Sequence, residues 1–246
     1  MSQRVVVLSD MQIPFHSMRN INGVLEFVKD YKPDLLLNVG DEIDQPQPSR
    51  WNKGQAGEYE PTLQDDIDLN REIQASFLGA LKRGAEYHIS RSNHGDRVET
   101  YVHKYAPALR KIRALEIERL LGYDELGIHY HRKPFQFAPG WLLCHGDEGS
   151  MSRIAGATAK NLAIRWDMNV VCGHTHKRGS IPHTFGYGQR QRTVVGVEVG
   201  CLMDFKKAHY IKDGSPSWQS GIGVGVLDGR KTRITDVEVR NGEVLY

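Results

Sequence analysis

Residues 35–44 read Leu35-Leu36-Leu37-Asn38-Val39-Gly40-Asp41-Glu42-Ile43-Asp44. The apolar run reads as a strand buried on both faces, and it stops at a glycine followed by acidic residues. A second run of the same kind, Val5-Val6-Val7-Leu8, lies upstream and ends in Ser9-Asp10. Between them Val24, Leu25, Phe27 and Val28 mark a helix that stops near Lys32-Pro33. Strand, helix and strand at this spacing predict a parallel sheet with a crossover helix. Ligands of such sheets bind just beyond the carboxyl ends of the strands. Function is therefore sought in the residues that follow each apolar run.

Further along, residues 45–61 are polar, with three prolines and two glycines, and read as a loop or insertion. Residues 62–83 predict a helix, with Ile67, Ile73, Phe77, Leu78 and Leu81 roughly on one face. A short strand over 86–90 ends in Arg91-Ser92-Asn93-His94. Helices are expected over 97–105 and 109–121, split by Pro107, and over 152–166. Strands over 141–144 and 170–172 end in His145 and in Gly173-His174-Thr175-His176. The last third turns β-rich, with segments at 194–199, 223–227, 232–239 and 243–246 and turn signals at Asp228-Gly229 and Asn241-Gly242. No repeat or linker divides the chain. It reads as one α/β domain over 1–246, with a polar insertion at about 45–61 and a β-rich part at about 190–246.

The 246 residues carry 32 Lys+Arg against 30 Asp+Glu, a net charge of +2, which excludes a globally polybasic nucleic-acid binder. Hydrophobic content of 39% with 25% charged residues describes a folded globule. No apolar run approaches the roughly 20 residues needed to span a bilayer. The start, Met1-Ser2-Gln3-Arg4, leads into too short a run for a signal peptide, so an intracellular, cytoplasmic protein without membrane association is expected. Cys144, Cys172 and Cys201 are odd in number and widely spaced, and read as small buried hydrophobes.

Five strand ends thus carry polar clusters: Asp10-Met11-Gln12, Gly40-Asp41-Glu42-Ile43-Asp44, Asn93-His94, His145 and His174-Thr175-His176. Each alone is a weak signal, because a turn, a helix cap or a core histidine explains it equally well. Together they supply carboxylate, amide and imidazole donors and no thiolate. Such a set suits Mn²⁺, Fe or Zn²⁺ in a reactive site and argues against structural zinc.

In this order the clusters resemble the calcineurin-like metallophosphoesterases, whose pattern is D-x-H, GD-x-x-D, GNH-[DE], a lone His and G-H-x-H. The match runs through Asp10-x-Gln12, Gly40-Asp41-x-x-Asp44, Asn93-His94, His145 and Gly173-His174-x-His176. The resemblance implies two mixed β-sheets sandwiched between helices, and a pair of divalent metals. Asp10, Gln12 and His176 would hold one metal, Asn93, His145 and His174 the other, with Asp41 bridging. His94 would be the general acid, oriented with Asp44 behind it. Three departures stand out. Gln12 replaces a His, and its neutral oxygen tilts the first site toward Mn²⁺ or Mg²⁺. Ser92 replaces a Gly. Gly95 follows His94 where the family has an acid, and Asp96 is the candidate to take that place. Manganese is the expected metal, with iron, zinc, nickel or magnesium as alternatives. The compact chain with D-x-Q also resembles phosphoesterases of bacterial and phage genomes.

The implied activity is metal-dependent hydrolysis of a phosphoester. Lys177, Arg178, Arg190, Arg192, Lys206, Lys207 and Lys212 follow the last motif, with only Glu198 and Asp204 among them. Read as a cationic rim, they favour a phosphodiester in a nucleotide or nucleic acid. Phe185, Tyr187 and Trp51, the last with Arg50 and Lys53 beside it, are candidate base-stacking residues. His183 is a candidate to line the cleft. A phosphomonoesterase, including a protein phosphatase, and a non-catalytic scaffold of the same fold are the alternatives. Retention of His94 favours catalysis over the scaffold. The oligomeric state is left open. His16, His88, His103, His129, His131 and His209 fit no motif and read as surface or packing residues. Gly221-Ile222-Gly223-Val224-Gly225 lacks the spacing and the helix of a dinucleotide loop and reads as flexible strand.

Overall fold

The computed structural model describes residues 2–50, 52–208 and 217–246. The chain opens with β1 (Gln3–Leu8), α1 (Met18–Tyr31), β2 (Leu35–Asn38), α2 (Leu63–Ala80), β3 (Glu86–Ser90) and α3 (Arg97–Tyr105). Two single-turn helices, α4 (Ile117–Leu120) and α5 (Tyr123–Leu126), precede β4 (His129–His131), β5 (Phe135–Ala138) and β6 (Trp141–Leu143). Then come α6 (Ala157–Trp166), β7 (Asn169–Cys172), β8 (Arg178–Phe185) and β9 (Arg192–Val199). The last strands are β10 (Gly221–Leu227), β11 (Arg233–Arg240) and β12 (Glu243–Leu245).

These form two mixed sheets, ordered β12-β11-β10-β1-β2-β3-β4 and β5-β6-β7-β9-β8. Strands β1 to β4 run parallel, and β10 joins β1 antiparallel, pairing Val5 with Gly225. The alternation of side chains explains the apolar runs. Val5, Val7, Leu35, Leu37 and Val39 face Leu143, Val171, Val197 and Val199 of the other sheet. Val6, Leu8 and Leu36 point the opposite way, into a core closed by Ile21, Val24 and Val28 of α1 and Ile73 and Phe77 of α2. Behind the second sheet, Val170 and Cys172 meet Leu162 and Ala163 of α6. Two mixed sheets lie between helices, the architecture that the family resemblance implies.

Local sequence sets the helix ends. Ser17 caps α1 through Asn20 N, and Lys32 in a left-handed conformation ends it before Pro33. Thr62 and Asp65 form a capping box at the start of α2. The helix expected over 109–121 is not one helix. Tight turns at Pro107–Leu109 and Arg113–Leu115 precede α4, and Leu109 and Ile112 stay exposed, so no buried stripe holds a longer helix. The helix expected from 152 starts at Ala157, because Gly156 takes a left-handed φ of +79°. The sequence does not announce strand β8, because Gly179 and Pro182 interrupt its pattern, which an edge strand tolerates. Three-residue β4 and four-residue β5 gave too little pattern to read. The glycine-rich stretch 221–225 is a strand, as its sequence reads. It is β10, between β1 and β11, where a Cβ on Gly223 would come within 2.9 Å of Val7 Cβ.

Leu37 lies at the centre of the layer between the sheets with no exposed surface. Leu37→Ala is expected to lower stability by about 3 kcal/mol in urea unfolding. A loss below about 1 kcal/mol would contradict an inter-sheet core centred on Leu37.

Candidate metal centre

The loops after β1, β2, β3, β6 and β7 converge at one end of the two sheets. The loop after β1 pairs with the loop after β2: Gln12 N donates to Asp41 O at 2.8 Å and Ile13 N to Glu42 O at 3.0 Å. Asp10 accepts from His174 N through both carboxylate oxygens, at 3.0 and 3.2 Å. Gly173 allows this approach, since a Cβ there would lie 2.2 Å from Asp10 Oδ2.

The side chains then meet. His145 Nε2 lies 2.9 Å from Asn93 Oδ1, 3.2 Å from Asp41 Oδ2 and 3.2 Å from His174 Nδ1. Gln12 Nε2 is 2.9 Å from Asp41 Oδ2 and 3.4 Å from His176 Nε2, and His176 Nε2 is 3.8 Å from Asp10 Oδ1. The ligand atoms of Asp41, His145 and His174 all fall within 4.8 Å of one another, as do those of Asp10, Asp41 and His176. Asp41 belongs to both groups. Gln12, Asp41, His174 and His176 all adopt left-handed backbone conformations, with φ of +55°, +51°, +66° and +54°. For residues other than glycine this costs on the order of 1 kcal/mol each, and such strain collects at functional sites.

The electrostatics fit a bound cation. Burial raises Asp41, but the charges of His145 and His94 outweigh it and hold the carboxyl well below the usual range. Burial should depress His145, yet the neighbouring Asp41 carboxylate pushes it up to about 10. Burial foremost raises Asp10 to about 7, against the pull of His145, and lowers His176 to about 3, against the pull of Asp41. A proton on His145 is thus the positive charge available to the buried carboxylates, and a divalent ion would take its place. Gln12 Oε1 is buried without a hydrogen-bond partner. A half-turn of that amide exchanges its oxygen and nitrogen, setting the oxygen against Asp41 and His176 as a metal ligand requires. An all-oxygen-and-nitrogen set fits a hard or borderline divalent ion.

His94 sits at the edge of this cluster. Its N–H donates to Asp41 Oδ1 at 3.1 Å, and its Nδ1 lies 3.0 Å from Asp44 Oδ2. Arg97 holds Asp44 by its carbonyl and its carboxylate, and approaches His94 Nε2 at 3.3 Å. Burial lowers the His94 pKa, but Asp41 and Asp44 outweigh it and the net shift is upward. Asp96 does not face His94. It is turned to Arg91, whose Nε donates to it at 2.7 Å while NH1 binds Asp147. It stands at the N-terminus of α3 without capping it.

The candidate substrate residues after His176 are not gathered. Arg178 is paired with Asp236 and Glu238 of β11. Arg192 is paired with Asp167 and lies over the Phe185 ring. Arg190 sits on the exposed turn between β8 and β9, beside Tyr187 at 93% exposure. His183 packs on Phe185 within β8. Lys177 is buried, donating to Ser152 O. Trp51, His209 and Lys212 lie outside the described residues. The basic rim is dispersed because alternate residues of β8 point to opposite faces. His88 stacks with His129, His131 and Phe135 at the edge of the first sheet.

A cleft of about 820 Å³ opens on the centre. Beside Asp41, His94, His174 and His176 it is lined by Phe15, Asn52, Gln55, Arg97, Met151, Lys207 and Trp218. The Trp218 ring meets His176 edge-on at 4.5 Å. Of these residues the sequence signalled only Lys207, among the cations after the last motif; Arg97, one helical turn after His94, carried no signal.

Two buried devices hold the loops. Glu198 of β9 accepts from Thr158 N and Ala159 N at the start of α6, and from Thr175 Oγ1 between the two histidines of the last motif. Glu42 accepts from the Tyr123 hydroxyl. The chain of bonds continues through Asn70, Gln74 and Tyr87 to Asn38, whose Oδ1 accepts from Gly40 N. It anchors the loop carrying Asp41 to β2, β3, α2 and α5.

These features define an α/β protein of two mixed sheets whose strand-end loops gather a donor set for divalent ions. No family model matches the chain. The Gene 54 protein of Mycobacterium phage D29 is 36% identical over 247 aligned positions, covering 98% of this chain and 96% of its own. That of Mycobacterium phage L5 is 34% identical with the same coverage. The chain belongs to the family of these mycobacteriophage Gene 54 proteins. Similar solved structures are more distant. Wild-type Vps29 from Entamoeba histolytica, complexed with Zn²⁺, is 13% identical over 98% of this chain and 95% of that one, with a TM-score of 0.48. Yfce, a phosphoesterase from E. coli, is 14% identical over 99% and 97%, with a TM-score of 0.43. Among the described residues no helix is long and apolar enough to cross a membrane.

Gly173→Ala should push Asp10 out of place and weaken metal binding at least tenfold in a competition titration with a chelating dye; unaltered affinity would remove Asp10 from the centre. Burial pushes the Glu42 carboxyl up to about 7 from 4.5. The folded state then holds its proton more tightly than the unfolded chain. Its stabilising contribution is complete below about pH 4.5 and declines as pH rises to about 7, by on the order of 3 kcal/mol. Glu42→Gln in metal-free protein should abolish that part of the decline between pH 5 and 8, measured by urea unfolding. Parallel decline in parent and variant would refute the assignment.

Proposed function

We propose that this chain is a metal-dependent phosphoester hydrolase of the calcineurin-like metallophosphoesterase kind, acting on a phosphodiester in a nucleotide or nucleic acid. One observation carries the reading: two metal-donor groups share the Asp41 carboxylate at the floor of a cleft that His94 also lines. Asp10, Gln12, His176 and Asp41 would hold one ion, and Asn93, His145, His174 and Asp41 the other, manganese foremost. A pair of divalent ions held there would lower the pKa of a water molecule and neutralise phosphoryl oxygens.

The chain's own residues supply the rest. His145 donates through Nδ1 to the Val39 carbonyl at 2.9 Å, which leaves Nε2 free to act as a donor atom toward a metal. Asp44, fixed by Arg97, faces Nδ1 of His94 and keeps that nitrogen protonated. Nε2 would then face the departing oxygen, and the Asp41 and Asp44 charges favour the protonated ring. Phe15 and Trp218 form an apolar wall that excludes water on one side of the cleft. Lys207 brings a cation to its rim.

The purified protein should contain about two divalent ions per chain by mass spectrometry of the elements, and should hydrolyse bis-p-nitrophenyl phosphate with Mn²⁺. His94→Ala should lower kcat by about 10²–10⁴ with metal content retained, and Asp41→Asn should lose both metal and activity. Faster turnover of p-nitrophenyl phosphate would replace the diester reading with a monoester one. A metal-free chain with no hydrolysis of either ester would leave the fold as a scaffold.

A further inference from the structure

A second group of cations lies outside the stretch after His176. Residues 100–115 contain Lys104, Arg110, Lys111 and Arg113 and no Asp or Glu. All four cations are exposed. The nearest acids are already engaged: Glu99 and Glu118 with Arg132, at 3.0 and 2.7 Å, and Glu116 with Arg119 at 3.4 Å. Among the described residues none of the four cations is within ion-pair range of a carboxylate, whereas Arg178 and Arg192 are both paired.

Helix α3 connects this charge to the cleft. Arg97, Tyr101 and Tyr105 are spaced i, i+4 and i+8, so they run along one stripe of the helix. Arg97 lines the cleft, and Tyr105 lies about 12 Å further out at 1.5 Å per residue. The Tyr101 and Tyr105 rings are adjacent, with centroids 4.9 Å apart, and Tyr105 is 43% exposed. Two ammonium groups converge on Tyr105: Lys53 at 3.9 Å from the ring centre and Lys104 at 5.2 Å. Lys53 comes from the 45–61 insertion, which also supplies Asn52 and Gln55 to the cleft. The insertion is fastened to α3, where Val98 N donates to Gln45 Oε1 at 3.2 Å. Insertion and helix thus make one continuous wall from the metal centre outward.

We propose that this wall, with Tyr101, Tyr105, Lys53 and Lys104 as its contacts, binds single-stranded nucleic acid leading away from the cleft. An aromatic stripe with unpaired cations beside it is the arrangement on which bases stack while phosphates are neutralised. A mononucleotide seated in the cleft falls short of Tyr105, so the ligand is an oligonucleotide. The assignment rests on the phosphodiester reading for the direction in which the strand enters.

The test uses the full chain, fluorescein-labelled oligo(dT) of 20 nucleotides, polyglutamate as a second polyanion, and bis-p-nitrophenyl phosphate. None of the altered residues lines the cleft. Lys53→Glu with Lys104→Glu should weaken oligo(dT) binding at least tenfold. The slope of log affinity against log salt should become shallower by about 1.4, two phosphate contacts at roughly 0.7 each. Tyr105→Ala should weaken oligo(dT) binding severalfold and leave polyglutamate binding as it was. Both variants should hydrolyse the small diester at the parental rate. Parental protein that does not bind oligo(dT), or variants that bind it as well as the parent, overturn the strand site even if the diester is hydrolysed. Equal loss of oligo(dT) and polyglutamate in Tyr105→Ala also overturns it and makes the wall a surface for acidic protein. Loss of oligo(dT) binding in the variants of a chain that hydrolyses no ester sustains the strand site and refutes the hydrolase instead.

Discussion

Everything at the centre depends on one buried carboxylate. Asp41 is almost fully enclosed, and an enclosed carboxylate is costly unless opposite charge and hydrogen bonds compensate it. The fold supplies these from four directions: His145, the Gln12 amide, the His94 N–H, and a left-handed backbone that turns the carboxylate inward. Each of these partners comes from a different strand end. The sheets therefore cannot slide relative to one another without uncovering the charge. That is why the loops are tied so heavily from behind, by Glu198 on one side and by the Glu42–Tyr123 chain on the other.

Much of this was legible in the residues. Strands β1 and β2 were readable because burial on both faces removes alternation and leaves a plain apolar run, and the acidic or histidine residue after each run marks a strand end. The ordered motifs from Asp10 to His176 carried the gathering of donors, although they lie far apart in the chain. What remained hidden was tertiary. Whether an arginine is free or paired is decided by strands distant in sequence: Asp236 and Glu238 neutralise Arg178, and nothing near Arg178 foretells it. Asp96 stands by position as a replacement acid, but its carboxylate is bound by Arg91, three residues before His94. Trp218 reaches the cleft from more than forty residues beyond the last motif, with no local pattern to announce it.

The misread helices have a common cause. Over 109–121 and 152–156 the composition suits a helix, but no stripe of apolar residues is offered a surface to cover. Propensity alone is too weak to hold a short helix in water. By contrast α2 has a capping box and a buried face that includes Ile73 and Phe77, and it forms nearly as read.

The position of β10 has a consequence for how the molecule assembles. It pairs with β1 across about 220 residues, and the Asp10 carbonyl accepts from Leu202 N at 2.7 Å. A nascent chain that has emerged only as far as the last histidine motif carries every candidate ligand, yet one flank of β1 is still bare. Closure must wait for the C-terminal strands, a long-range step that is intrinsically slow. The strand that leads to Asp10 is thereby completed by segments that follow the last motif in the chain.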